Sequence, residues 1–359
     1  MSDAVINGWA DCDAGPVALC LIQKLLPIDG PGGVIFPPTY KDIGYNIDQM
    51  SDGTKVATID SVGSQANRLE PLFKRSSGVA PSGHRLAELV PQVTIVLGNG
   101  REVSLFDAGH RLGDAIVRST RLKEAAREAF LAFLERGDAG PLAKLAPTSL
   151  VFGVWDSRDT SAKLPRILQA VIRAWNVDVL TRSAVYAPPV DYAALEVFSD
   201  DDKAKAEGDT KSPLAKRGFV HVPAGESPGG IVAHGDIIRT VTINLVALRR
   251  LNSSRDGDTV RRYLLGLALV VATEPADGFL RQGCLLTLDP AHPGAWQAVG
   301  RDGVRDTVTI SSDEAWSYAL AAAKAFGIES PETVAFDKEF AKADLADGAK
   351  KRVSRKPRP

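Results

Sequence analysis

Polar side chains able to bind a phosphate or a base edge are concentrated in residues 54–75, TKVATIDSVGSQANRLEPLFKR. The stretch begins with the polar–apolar alternation of a short strand and continues into a helix. Backbone N–H groups point outward at such a junction, which favours binding of a nucleic-acid backbone. The alternative is a capped amphipathic helix that packs Leu69, Leu72 and Phe73 in the core. The candidate ligands are Ser64, Gln65, Asn67, Arg68, Lys74 and Arg75.

Further cations lie on predicted loops and strand ends, and several have an aromatic residue nearby. This mixture is typical of a groove that follows a nucleic-acid backbone and stacks or wedges its bases. Taken singly, each side chain could equally pack against the protein or be solvated. The cations are Lys41, Arg158, Lys163, Arg166 and Arg182, and the aromatics are Tyr40, Tyr45, Trp155, Tyr186 and Phe219.

Catalytic chemistry is the main alternative to binding. His110 and Asp114 are four residues apart on a predicted helix, a spacing that can bind a metal, and Asp156 lies with Asp159 on a predicted loop. The sequence has no phosphate-binding P-loop and no nucleophile elbow. We therefore predict no catalytic residue, no metal and no cofactor. A metal-dependent nuclease or hydrolase centred on His110, Asp114 and Asp156 stays open, as does a protein-only scaffold.

Length and composition indicate a globular protein. The 359 residues (38.2 kDa) are 44% hydrophobic and 24% charged, which is ordinary for a folded domain. The acidic first residues lack a signal-peptide pattern and no apolar run reaches membrane-spanning length, so we expect a cytoplasmic protein. The three cysteines are too irregularly spaced to predict a disulfide framework.

Charge is distributed unevenly along the chain. The formal net charge is −1, yet residues 61–185 hold 17 Lys and Arg against 12 Asp and Glu. Residues 1–60 and 186–349 are acidic, and the last ten residues, KKRVSRKPRP, hold six cations and no acid. A basic middle segment between acidic ones could attract a polyanion to one face, although charge alone does not decide this.

Hydrophobic periodicity predicts the first regular elements. Residues 13–26 predict a strand or a short helix. Residues 93–106 form the clearest predicted hairpin, since an Asn-Gly pair supplies the positive φ angles of a tight turn. Residues 107–118 predict a helix capped by its aspartate, and residues 120–136 predict a second helix with one apolar face.

The middle of the chain predicts a strand, a helix and a strand over residues 149–156, 162–175 and 177–186. This order is typical of a ferredoxin-like or split βαβ core. Residues 188–235 include a charged stretch too polar to bury and are too long for an ordinary loop, which indicates a mobile linker or an arm that becomes ordered against something else. Later elements are predicted as a strand and helix over 237–251, a helix from 255, a strand over 279–288 and a helix over 313–326.

Separate stretches of the chain resemble one protein family. FPPTYKDIGY, followed by DSVGSQANRLE, resembles the N-terminal signature of the type I-G (formerly I-U) CRISPR-associated backbone subunits, the Csb-one branch of the Cas7 (RAMP) family. FDAGHRLGDAIVRS resembles its D-x-x-H-R-x-x-D-A helix, and TSLVFGVWDSR with LTRSAVY its G-x-W-D-S strand and R-S segment. GFVHVPAGESPGGIV, IIRTVTINLVALRRL and LRQGC resemble its arm and C-terminal half. The resemblance extends over residues 36–284.

The resemblance implies an α+β fold with an RRM-like (ferredoxin-like) palm, helical finger elaborations and an extended thumb arm. It implies four segments: 1–187 and 236–345 for the two parts of the palm, 188–235 for the thumb arm, and 346–359 for a disordered basic tail. It also implies a non-catalytic subunit whose copies stack head to tail along a guide RNA (crRNA). The guide pairs with target DNA in a CRISPR surveillance (Cascade) complex with other subunits.

The resemblance also implies a set of RNA-binding residues. Ser64, Gln65, Asn67 and Arg68 match the S-x-x-N-R segment and would contact guide phosphates or sugars. Arg158, Arg182 and Ser183 match its other polar segments, and Phe219 and His221 lie near the returning strand of the arm. Together with the cations found above, the expected set is Lys41, Ser64, Gln65, Asn67, Arg68, Lys74, Arg75, Arg158, Lys163, Arg166, Arg182, Ser183, Phe219 and His221.

Overall fold

A large antiparallel sheet forms the framework of the protein in a computed structural model that describes residues 1–75, 83–275 and 277–354. Nine strands contribute, and the long central ones hydrogen-bond to neighbours on both edges. In order across the sheet, seven of them are Phe279–Arg281, Cys284–Leu288, Ala18–Pro27, Ile237–Asn244, Leu168–Trp175, Lys55–Asp60 and Ile47–Gln49. The other two extend from Ala18–Pro27, since Ala295–Val299 pairs with that strand and Arg305–Val308 pairs with Ala295–Val299.

One face of this sheet is covered and the other is open. Along Ile237–Asn244 every second residue is buried, starting at Ile237, and the residues between are only partly buried. Leu168–Trp175 alternates in the same way. This period of two is that of a strand with one face against the core. The fold is therefore α+β, with helices packed on one side of a curled antiparallel sheet.

The core centres on the helix Gly257–Thr273, in which all of residues 263–272 are buried. It packs closely on the helix Ser312–Phe326, since a Cβ at Gly266 would lie 2.9 Å from the Cα of Ala319. Among the described residues no helix is long and apolar enough to cross a membrane. The remaining α-helices are Asp3–Asp11, Val62–Leu69, Gly83–Leu86, Ala115–Arg118, Lys123–Arg136, Gly140–Leu145, Pro147–Val151, Asp200–Ala206, Pro213–Lys216, Leu245–Arg249 and Lys338–Ser354.

Short strands and 3-10 turns complete the described chain. Glu332–Ala335 pairs in parallel with Val93–Val96, which also pairs with Glu102–Ser104. Two further pairs are Thr39–Tyr40 with Gly44–Tyr45 and Val154–Trp155 with Lys163–Leu164. The 3-10 turns are Glu70–Phe73, Ala87–Leu89, Leu105–Asp107 and Arg111–Gly113.

Two elements of the predicted strand–helix–strand order are wrong. Residues 162–175 contain the strand Leu168–Trp175 in place of a helix, because both of its edges pair with strands of the large sheet. Residues 149–156 hold the end of the helix Pro147–Val151 and the short strand Val154–Trp155. Pro147 opens this helix, and burial on every side leaves no periodicity to distinguish helix from strand.

The helix predicted over residues 107–118 is also wrong. The chain there forms the turns Leu105–Asp107 and Arg111–Gly113 and then the short helix Ala115–Arg118. Arg111 adopts a φ of +52°, which is incompatible with a continuous right-handed helix.

Residues 188–235 are more regular than predicted. The strand Val222–Ala233 pairs antiparallel with Val177–Tyr186, and two short helices lie between the strands. Glycine fits this bulged ladder, since a Cβ at Gly229 would lie 2.8 Å from the carbonyl oxygen of Leu180. We call residues 177–233 the arm.

Several other predictions hold. The hairpin within 93–106, the strand and helix over 237–251 and the helix over 313–326 are confirmed. Residues 13–26 hold the strand Ala18–Pro27, and residues 279–288 fold into two paired strands around Gly283. The helix Lys338–Ser354 extends into the segment expected to be a disordered tail, whose residues 355–359 lie outside the described chain.

Candidate nucleic-acid interface

Asp60 collects the polar side chains of the helix that follows it. The helix Val62–Leu69 begins at Ser61, whose hydroxyl accepts a hydrogen bond from the backbone N–H of Ser64. The buried Asp60 carboxylate accepts bonds from the Ser64 hydroxyl (2.6 Å), the Gln65 amide (2.6 Å) and Arg68 Nε (3.1 Å). These predicted RNA ligands therefore direct much of their polar surface inward.

The same network crosses to the large sheet. Arg68 Nη2 donates to the carbonyl of Leu280, and Gln65 Oε1 accepts from Arg239 Nε at 3.2 Å. Arg239 also donates to Gln23 Oε1 at 2.7 Å. Burial lowers the pKa of Arg239 to about 10, so the guanidinium remains charged at neutral pH. We call Asp60, Gln65, Arg68 and Arg239 the Asp60 network.

A second buried centre forms around Arg111, whose side chain joins three separate stretches of the chain. Its Nε lies 2.7 Å from Glu70 Oε2, Nη1 donates to the Gly153 carbonyl at 3.1 Å, and Nη2 donates to Asn67 Oδ1 at 3.5 Å. Burial raises the pKa of Glu70, although Arg111 acts in the opposite direction. Arg111, which is itself paired with the buried Glu70, thus holds the carbonyl of Gly153 in place.

Gly153 supports an exposed aromatic and cationic surface. Its φ is +78°, and a Cβ would lie 2.7 Å from Arg166 Cγ, so the position requires glycine. Two residues on, Trp155 is 60% exposed and pairs across the short ladder with Lys163, whose Nζ lies 5.9 Å from the indole centroid. Arg158 and Arg166 are exposed beside this ladder. We call Trp155, Arg158, Lys163 and Arg166 the Trp155 surface.

Both carboxylates of the alternative enzymatic site, Asp114 and Asp156, accept local hydrogen bonds, whereas the His110 side chain is exposed. Asp156 is 3% exposed and accepts bonds from the N–H groups of Asp159 and Thr160 and from the Thr160 hydroxyl, which closes the loop after Trp155. Asp114 accepts from Ile116 N and caps a short helix. No group of three or more His, Cys, Asp or Glu side chains suited to a metal occurs in the described parts of the chain.

Residues 19–179, somewhat under half of the chain, match the model of the family "CRISPR-associated protein GSU0053". Over this stretch the chain is similar to that CRISPR-associated family. No curated protein sequence matches it. A solved chain described as "CRISPR RNA-guided surveillance complex, pre-nicking" matches with a TM-score of 0.35 and 12% identity, over 93% of this chain and 88% of that one. Similarity at that level carries no argument about function.

The family match includes Asp60, the Arg111 centre and the whole Trp155 surface. It ends at residue 179, before most of the arm, and also excludes Arg239 and Leu280. The Trp155 surface, whose cations have no carboxylate partner among the described residues, therefore lies inside the matched stretch.

The predicted residues Lys41, Lys74 and Arg75 are scattered. Lys41 is exposed in the turn between two short strands, and Lys74 pairs with Asp107 at 2.7 Å. The backbone N–H of Arg75 donates to Gln92, and its side chain is exposed at the edge of the described segment.

The predicted residues of the arm serve mainly to shape it. Arg182 Nε donates to the Gly229 carbonyl across the ladder, and Ser183 is exposed beside it. Phe219 packs edge-on to Tyr192, with ring centroids 4.9 Å apart, and His221 lines a cavity of about 230 Å³ in the same region.

Four residues at the centre of the site were absent from the predicted set: Asp60, Glu70, Arg111 and Trp155. All four lie within the stretches that carry the family resemblance, so a signal for their importance was present. Nothing in the sequence indicates that Glu70 faces Arg111, because the two residues meet only through the fold.

Proposed function

We propose that this chain is a non-catalytic, guide-RNA-binding backbone subunit of a CRISPR surveillance (Cascade) complex. The observation that carries the proposal is the family match over residues 19–179, which contains the exposed cations of the Trp155 surface. In this role the subunit binds the sugar-phosphate backbone without reading base sequence, so one protein serves any guide. Its partners are crRNA, target DNA paired with that guide, neighbouring copies and the other subunits.

The Trp155 surface supports backbone binding through its charge. Within the described residues, Arg158, Lys163 and Arg166 have no carboxylate within 4 Å, whereas Arg127 beside them is paired with Asp159 at 3.3 Å. Unpaired cations can bind phosphates without first breaking an ion pair. In the proposed complex the large sheet serves as an RRM-like palm and the Asp60 network fixes its edge.

The arm supports contact between copies. It carries exposed apolar side chains, namely Val185, Tyr186, Leu195 and Val197, at 49–64% exposure. An open-ended filament requires different faces to meet in successive copies, and a protruding arm provides one of them. In the proposal the arm is the thumb, which passes over the RNA onto the next subunit.

The test is co-purification of the chain with a guide transcript. The absorbance ratio at 260 and 280 nm should rise when the guide is co-expressed, and Lys163→Ala with Arg166→Ala should reduce the bound RNA. Each lost phosphate contact should lower the salt slope of binding by roughly 0.7. Lys324→Ala is the matched control, because Lys324 is exposed on a helix that packs against Gly257–Thr273. Equal RNA content with and without guide would refute the proposal.

The role of the arm has a separate measurement. Leu195→Asp with Val197→Asp should leave binding of a short RNA unchanged but shorten the assemblies formed on a long guide, as measured by light scattering. Assemblies of unchanged length would show that the arm does not join the copies.

A further inference from the structure

Trp155 is unusual among the aromatic residues of this chain in its exposure. Its indole is 60% exposed, the largest value among the described Trp, Tyr and Phe side chains. Burial of an aromatic ring stabilises a fold, so a ring left in water favours a role in binding. Trp155 also differs from scattered surface apolar residues in its position, since it lies near the Gly153 turn beside Lys163 and Arg166. Among the described residues these cations have no carboxylate partner.

The backbone beneath the ring is held rigidly. The turn Arg111–Gly113 packs against it, since a Cβ at Gly113 would lie 3.3 Å from the carbonyl oxygen of Trp155. Asp156 closes the following loop through the N–H groups and hydroxyl described above, and its own N–H donates to Ala162 at 2.8 Å. A ligand that binds here would order little additional backbone, which lowers the cost of binding.

The chemistry around the ring fits one nucleotide of single-stranded RNA. An indole face stacks on any base, since every base has a π-face, and adjacent cations can bind the flanking phosphates. Lys163 lies at the ring, and Arg166 lies against the Gly153 turn.

We infer that Trp155 is a stacking platform for one RNA base, with Lys163 and Arg166 bound to the phosphates on either side. This inference rests on the proposed function, to which it adds a base contact that is independent of sequence. The RNA affinity of the Trp155 surface then has an apolar component from stacking, separate from the salt-dependent component from phosphate binding.

The experiment compares two probes of equal length and charge: a short oligouridylate and an abasic oligonucleotide. Trp155→Leu in the full chain should weaken oligouridylate binding roughly 5- to 100-fold, and Trp155→Phe should retain most of the affinity. Both variants should bind the abasic probe as the wild type does, with an unchanged salt slope. Trp175→Leu, a partly exposed tryptophan on the large sheet, is the control.

Three results would overturn the inference. Wild-type affinity of Trp155→Leu for oligouridylate would show that no base stacks on the ring. Equal losses on both probes would assign Trp155 a structural role. Unchanged oligouridylate binding with lost self-association would make the ring a protein contact. Trp155-dependent binding of oligouridylate without guide co-purification would uphold the inference and refute the proposed function.

Discussion

The buried pair Glu70–Arg111 provides the sharpest test of how the candidate interface is held. Their side chains are 3% and 7% exposed, and Nε and Oε2 are 2.7 Å apart. Glu70→Ala leaves the Arg111 charge buried without a carboxylate. Loss of one partner from such a pair costs about 3–5 kcal/mol, because the remaining charge has lost both water and its counterion.

Urea unfolding of the full chain, followed by circular dichroism and tryptophan fluorescence, measures this loss. The control is Lys74→Ala, which breaks the ion pair with Asp107, where both side chains are about 40% exposed. A solvent-exposed pair of this kind contributes about 0–1 kcal/mol. The double variant Glu70→Ala/Arg111→Met removes both charges and should be more stable than the summed losses of Glu70→Ala and Arg111→Met predict.

If Glu70→Ala lowers the free energy of unfolding by no more than Lys74→Ala does, the buried pair does not stabilise the fold as proposed. Strict additivity in the double variant would also contradict this prediction, because it would mean that the two charges do not interact. Since Arg111 also donates to Gly153, we expect Glu70→Ala to weaken RNA binding as well.

Three further predictions concern single positions. Gly153→Ala should destabilise the fold by about 1–3 kcal/mol and reduce RNA binding, measured by thermal unfolding and RNA titration, because its φ of +78° and the Cβ clash disfavour any side chain. Gly266→Leu should cost about 1–3 kcal/mol in urea unfolding by separating two helices that meet at Ala319. Burial raises the pKa of the Cys284 thiol from 9.0 to about 11, so iodoacetamide at pH 8 should label exposed Cys12 and spare Cys284. Because the fold favours the neutral form of this thiol, Cys284 adds to the free energy of unfolding below pH 9. That contribution should be lost as the pH rises from 9 through 11.

The local patterns of apolar residues and turn residues predicted those elements whose structure is determined by their own residues. Alternation identified Ile237–Asn244, and an Asn-Gly turn identified the hairpin within 93–106. Leu168–Trp175 was misassigned because its apolar residues also suit a helix, and the choice depends on the strands that pair with both of its edges. Those partners lie more than 60 residues later and more than 100 residues earlier in the chain, so no local window contains them.

The candidate site shows the same division. The residue types at the strand-to-helix junction were recognised from the sequence, but their direction was not. Gln65 and Arg68 face Asp60 because Arg239 and the carbonyl of Leu280 complete the network, and these groups come from the far end of the sequence. The positive φ of Arg111 could likewise not be predicted from the sequence, since arginine has no preference for that conformation.

The inward direction of these residues changes what the motif does in the proposed complex. A ligand-binding arginine must exchange water for phosphate, whereas Arg68 already donates to Asp60 and to Leu280 and is 39% exposed. Its main contribution is to fix the junction between helix and sheet. The Trp155 surface differs from Arg68, since its cations have no carboxylate partners among the described residues. Its backbone is fixed by the hydrogen bond from Arg111 to the Gly153 carbonyl. The motif residues then supply rigidity, and the less distinctive cations supply the contact with RNA. That arrangement suits a protein that must hold any guide, because a rigid support with unpaired charges binds a backbone without selecting among bases.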